Sequence, residues 1–140
     1  MAMTMSRDER VVVCVHDEQA PTDAEWDRWL QLLRERAGRD ARAFVETRGG
    51  GPNAKQRKLL ADAVKDLDLR CAILSDSMVV RGMVTAIAWL GVPLRAFTPG
   101  EFRPAAEYLG LTHDELQHTF EVLVGLRHAC FERAPQAASR

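Results

Sequence analysis

Four short β-type runs, Val11-Val12-Val13-Cys14-Val15, Ala43-Phe44-Val45, Cys71-Ala72-Ile73-Leu74 and Leu94-Arg95-Ala96-Phe97, are each followed by a segment with helical apolar spacing and a helix-start signal. Strands that alternate with helices run parallel, because a parallel neighbour is reached only by a crossover, and helices then cover the sheet. The expected fold class is therefore α/β, a four-stranded, mainly parallel sheet with helices packed on both faces and one extra C-terminal helix. An order of 2-1-3-4 would leave a crevice between the first and third of these strands, and a straight 1-2-3-4 order is the alternative. Either way, ligand or switch chemistry falls in the loops at the carboxyl ends of the strands.

The start signals place the helices. Thr22-Asp23-Ala24-Glu25 is a capping-box pattern, in which hydroxyl and carboxylate reciprocally bind the orphan amides of a first turn. Trp26, Trp29, Leu30, Leu33 and Ala37 follow at helical spacing, and Gly38 is the expected stop. Asn53 with Gln56 opens a second helix with an inward stripe of Leu59, Leu60, Ala63, Val64 and Leu67. Asp76 or Ser77 caps a third over Met78 to Leu90. Thr98-Pro99-Gly100-Glu101 starts a fourth that turns Phe102, Ala105, Ala106 and Leu109 inward and ends at Gly110. Thr112 to Glu115 starts the last, with Leu116, Phe120, Leu123 and Cys130 on one face. Residues 1–9 are expected to be a flexible start, 10–133 a single domain whose last helix spans about 112–132, and 134–140 a flexible tail.

Charge and cysteine content narrow the function classes. A net charge of −1, with no long basic run, argues against a nucleic-acid partner. Three cysteines, Cys14, Cys71 and Cys130, form no CxxC pair and fit a reducing cytoplasm better than a disulfide framework. No secretory signal opens the chain, and its longest apolar stretch is too short for membrane insertion. The histidines share no face or HExxH spacing, so neither a metal site nor a cofactor is expected.

Two loops carry the candidate chemistry. Thr47, Arg48, Gly49, Gly50, Gly51 and Asn53 belong to a glycine-rich strand-to-helix turn whose amides could approach an anion, although it matches neither a GxGxxG nor a Walker pattern. Ser75, Asp76 and Ser77 close the third strand, and a phosphoryl group on Ser77 would place about −1.5 to −2 of charge at a helix start, where Arg81 could answer it. Ser77, His16 and Glu46 all come from strand ends, which makes a nucleophile, base and acid geometrically conceivable. The third helix is apolar around much of its circumference, with Val79, Val80, Met83, Val84, Ile87, Ala88 and Leu90 and a polar stripe of Ser77, Arg81 and Thr85. Met78, Gly82, Ala86 and Trp89 form a second face with small residues four apart. The C-terminal helix is the expected cover for it, and a partner chain, including a second copy, is the alternative.

Arg70 to Leu74, the helix Val80 to Trp89, Leu94 to Phe97 and Glu101-Phe102-Arg103-Pro104-Ala105-Ala106-Glu107-Tyr108-Leu109 resemble, over roughly residues 10 to 110, the small bacterial STAS-like, or SpoIIAA-like, proteins. The resemblance implies a non-enzymatic regulatory or protein-binding module, in which a serine after the second parallel strand acts as a phosphorylation switch. That position falls in Thr47 to Asn53, where no Asp-Ser-Ser-Gly occurs and Thr47 is the one hydroxyl. The alternatives are a small-ligand sensor holding an anionic or lipidic molecule at the strand ends, and a small hydrolase or transferase.

Overall fold

The valine run lacks any polar side chain and forms a strand buried along its whole length, which requires cover on both sides of the sheet. The computed structural model describes residues 3–8, 11–35 and 41–131. Its elements run β1 (Met3–Asp8), β2 (Val11–His16), α1 (Asp23–Arg34), β3 (Ala41–Thr47), α2 (Ala54–Val64), β4 (Leu69–Leu74), α3 (Met78–Trp89), β5 (Leu94–Phe97), α4 (Phe102–Tyr108) and α5 (His113–Phe131). The α/β class is as expected, but the sheet has five strands and is mixed, in the order β1-β2-β3-β4-β5. β2 to β5 are mutually parallel, and β1 pairs antiparallel with β2, Met3 opposite His16 and Asp8 opposite Val11.

Residues 3–8, expected to belong to a flexible start, form the edge strand β1. Met3 and Met5 alternate with Thr4 and Ser6, so the short sequence is amphipathic at strand period and buries its methionine face, with Met3 only 1% exposed. The Met3 amide also donates to Glu25 Oε2 on α1 at 2.9 Å. Ala37, Gly38 and the tail at 134–140 lie outside the described residues.

The consecutive strand order decides where the helices go. Crossovers of one hand, laid down in one direction, put all their helices on the same side. α1, α2 and α3 accordingly bury Trp26, Trp29, Leu30, Leu33, Leu60, Val64, Val80, Val84 and Ile87 against Val12, Cys14, Ala43, Val45, Cys71 and Ile73. The opposite side chains, Val11, Val13, Val15, Phe44, Ala72, Leu74 and Phe97, are covered by Ala105 of α4, Leu109 at that helix's C-cap and Leu123 of α5. α5 lies across β1 and β2, and α4 across β4 and β5.

The helix starts are largely those read from sequence. Thr22 with Glu25, Asn53 with Gln56 and Thr112 with Glu115 each form both bonds of a capping box, and Ser77 Oγ accepts from the Val80 amide at 3.3 Å. α4 differs. Glu101 accepts from both the amide and the hydroxyl of Thr98, at 2.8 and 2.9 Å, so these residues form a turn and the helix begins after it. Gly110 ends α4 at φ 70°, with the Leu111 amide returning to the Ala106 carbonyl at 3.1 Å. In α2 the inward stripe holds Gln56 in place of Leu59, which is 38% exposed. Gln56 Nε2 donates to the Pro21 carbonyl and to Asp23 Oδ1, while Trp26 Nε1 donates to the Gln56 carbonyl, so the starts of α1 and α2 are tied together.

β3 and β4 begin earlier than their apolar runs, taking in Arg42 and Arg70. Both arginines face α4. Arg42 Nε donates to the Leu109 carbonyl at 2.6 Å and Arg70 Nη1 to the Tyr108 carbonyl at 2.8 Å, satisfying orphan acceptors at that helix's C-terminus.

A partly buried ion pair fastens α5 to β3. Arg127 Nε donates to both oxygens of Glu46, at 3.0 and 2.8 Å, and Nη2 donates to Oε1 at 2.5 Å. Arg127→Met strands a nearly buried carboxylate, and urea unfolding is expected to show a loss of about 2 kcal/mol, below the 3–5 kcal/mol typical of fully buried pairs because Arg127 is 33% exposed. Adding Glu46→Gln to that variant recovers part of the loss; a double variant less stable than the single one contradicts this account.

Candidate functional site

Strand parity sorts the residues at the carboxyl edge. His16 and Thr47 continue the side of their strands that faces α1 to α3, in register with one another. Ser75 follows at the end of β4, and all three are buried. Glu46 is one residue out of phase, on the α5 side, where Arg127 holds it. The conceivable grouping of Ser77, His16 and Glu46 is therefore not assembled: the sheet separates the base from the acid.

The glycine-rich turn is closed on itself and on its neighbour. The Arg48 amide donates to the His16 carbonyl at 3.3 Å, the Gly49 amide to Thr47 Oγ1 at 3.2 Å and the Gly50 amide to the Asp17 carbonyl at 2.9 Å. Thr47 Oγ1 in turn donates to the Gly50 carbonyl at 2.6 Å. With the Asn53 amide bound to Gln56 Oε1, four of the amides that could cradle an anion already have internal acceptors. Gly50 is required by close approach: a Cβ there would stand 2.2 Å from the Gln19 carbonyl oxygen and 2.6 Å from that of Asp17. Arg48 is exposed and lies 3.9 Å from the Phe131 ring centroid, bordering an open cleft with Asp17, Glu18 and Gln19.

The hydroxyls proposed as switches differ in access. Thr47 is 6% exposed with its hydroxyl engaged. Ser75 Oγ accepts from the Ser77 amide at 3.1 Å and is 2% exposed. Ser77 is half-buried at the α3 cap, between exposed Asp76 and exposed Arg81 one turn on.

Behind this edge, between the sheet and α1 to α3, lies a cavity of about 60 Å³. Its lining runs from His16, Thr47 and Gly51 past Trp26 and Ile73 to Leu94, and among the described residues no charged side chain takes part. A drug-sized ligand usually needs roughly 300 Å³ or more. His16 is 4% exposed, and its Nδ1 has no hydrogen-bond partner among the described residues. Burial lowers its pKa from 6.5 to about 4, against the opposing pull of the Glu25 carboxylate, which leaves the imidazole neutral at pH 7. The cysteine thiols respond in the opposite sense: burial raises Cys14 well above its ordinary value and Cys71 to about 12, so neither supplies a thiolate. Among the described residues no group of His, Cys, Asp and Glu is arranged to hold a metal.

The third helix presents a different kind of site. Val80, Val84 and Ile87 face the core, whereas Met78 is 80% exposed, Val79 69%, Trp89 85% and Leu90 50%. Gly82 is exposed and Ala86 half-buried between them. The expectation that the C-terminal helix covers this face is corrected, because α5 is committed to the other side of the sheet by the valines of β2. Val79 and Leu90 extend the patch beyond the Met78, Gly82, Ala86 and Trp89 stripe. Helical spacing alone had placed those two around an apolar circumference. The cavity, the orphaned His16 nitrogen and the Glu46–Arg127 pair had no local sequence signal, since each joins residues from separate units.

The depressed pKa of His16 has a signed consequence. Unfolding exposes an imidazole that takes up a proton below about pH 6.5, while the folded one does not until about pH 4, so the folded state loses stability as pH falls through that interval. The loss reaches roughly 3 kcal/mol. Urea unfolding at pH 7 and pH 4.5 should show it in the native chain, and His16→Phe should remove most of the difference; equal pH dependence in both would contradict a buried neutral imidazole. Gly50→Ala should lower stability by about 1–3 kcal/mol through backbone overlap, and unchanged thermal unfolding would show that the two loops are not in contact. Comparison of the chain with protein-family models, curated proteins and solved structures finds no match, which leaves this geometry to carry a functional assignment.

Proposed function

We propose that the chain is a non-enzymatic, STAS-like regulatory module that binds a protein partner through the outer face of α3. The carrying observation is the exposure of Met78 and Trp89, at 80% and 85%, on one helix beside Val79 and Leu90. Large apolar side chains grouped on a monomer surface favour association, because covering them releases about 25 cal/mol per Å² of apolar area. Tryptophan and methionine are enriched where such contacts form, and Gly82 and Ala86 let another backbone approach closely.

A second copy of the chain offers the same apolar complement, so a homodimer across α3 is one form of this binding. Ser77 caps the helix and stands near the patch, where a phosphoryl group would add charge to the docking face. A reducing, cytoplasmic setting suits the free cysteines Cys14, Cys71 and Cys130. No helix among the described residues is long and apolar enough to cross a membrane, and the near-neutral net charge argues against nucleic acid.

The test is the double variant Met78→Glu/Trp89→Glu. Its unfolding free energy should stay within about 0.5 kcal/mol of the native value, because both side chains are exposed. Sedimentation would show whether self-association present in the native chain is lost. In cells lacking the native gene, the variant should fail to restore the missing trait while Arg28→Ala, on the distant outer face of α1, restores it. Full restoration by the double variant defeats the proposal.

A further inference from the structure

His16 combines three properties seldom found together in a settled interior. It is buried, its Nδ1 lacks a partner among the described residues, and it lines a void. An unsatisfied buried polar atom costs about 1–3 kcal/mol, and an empty cavity adds to that cost. A phenylalanine at the same position would remove the first of these terms. Thr47, in register with His16 on β3, does not supply a proton to the nitrogen, because its hydroxyl donates to the Gly50 carbonyl.

From this we infer that the space between the sheet and α1 to α3 is a ligand site for a small, uncharged molecule with an apolar body and a single hydroxyl, which hydrogen-bonds His16 Nδ1. The rest of the lining fixes the class. Trp26, Val45, Ile73 and Ile87 offer only apolar contact, and the absence of any charged lining residue among the described residues disfavours an ion. A hydroxyl both donates and accepts, so it satisfies either tautomer of a neutral imidazole.

At about 60 Å³ the resting cavity holds a few waters at most, and a ligand must enlarge it. Met83 is placed to yield. It is half-buried on the inner edge of α3, and its Sδ and Cε lie 2.7 Å from where a Gly51 Cβ would stand, so it closes the gap between the glycine turn and the helix. An unbranched thioether changes rotamer at small cost, and the missing side chain at position 51 gives it room. Entry is therefore between Gly51 and α3, with the hydroxyl leading toward the strand ends.

Phenol, with benzene as its counterpart lacking the hydroxyl, tests this on the full chain. Titration followed by methyl and imidazole NMR should shift the Met83 Cε, Ile73 and Ile87 methyl signals together with the His16 ring, and phenol should bind about tenfold tighter than benzene, the worth of one hydrogen bond. In His16→Phe that preference should vanish while benzene still binds. Should His16→Phe not fold, the His16 ring shift in the native chain decides the matter, and Val84→Leu, which fills the cavity by one methylene, should weaken both probes. Absence of shifts at these methyls, an unchanged phenol preference in His16→Phe, or a long-lived water on His16 that phenol does not displace would each overturn the inference. None of these readouts involves the outer face of α3, so the two proposals fail separately.

Discussion

The unbroken apolar run from Val11 to Val15 in β2 is the constraint from which most of the architecture follows. With Val12 and Cys14 directed to one side and Val11, Val13 and Val15 to the other, neither side of the sheet can face water. Three crossover helices satisfy one side only, since consecutive parallel strands send them all the same way. The second side has to be closed by chain that comes after the last strand. That is the work of α4 and α5, and Glu46 with Arg127 and Arg42 with the Leu109 carbonyl fix where they sit.

This division explains why an apolar surface is left over. α5 has a hydrophobic face, but β1 and β2 consume it. α3 sits at the far end of its layer beside β5, buries Val80, Val84 and Ile87, and among the described residues has no later element to cover Met78, Val79 and Trp89. The same helix meets the cavity on its inner side through Met83. An exposed recognition surface and an incompletely filled interior thus stand on opposite faces of a single element.

The carboxyl edge shows how a suggestive sequence can be put to structural use. Gly49, Gly50 and Gly51 look like a phosphate cradle in one dimension, yet the Gly50 position is dictated by contact with the carbonyls of Asp17 and Gln19, and the turn's amides are largely bound internally. Thr47, a natural candidate for modification, is buried in holding that turn closed. The unusual group there is His16, which lies between Met3 of the preceding strand and Thr47 of β3.

What the sequence determined by itself was local. Capping pairs such as Thr22 with Glu25 and Asn53 with Gln56 act within one helical turn, and the periods of the apolar residues separate strand from helix, so the parallel units and most helix starts were legible. β1 was missed because its polar residues outweighed a two-methionine face that matters only once β2 lies beside it. Strand order, the side on which each helix packs, the ion pair between residues 46 and 127, and the void beside His16 were decided by tertiary structure alone. Each depends on the juxtaposition of segments whose separation along the chain leaves no periodic or spacing signal, and on the rule of crossover handedness, which acts on the assembled sheet and not on any one residue.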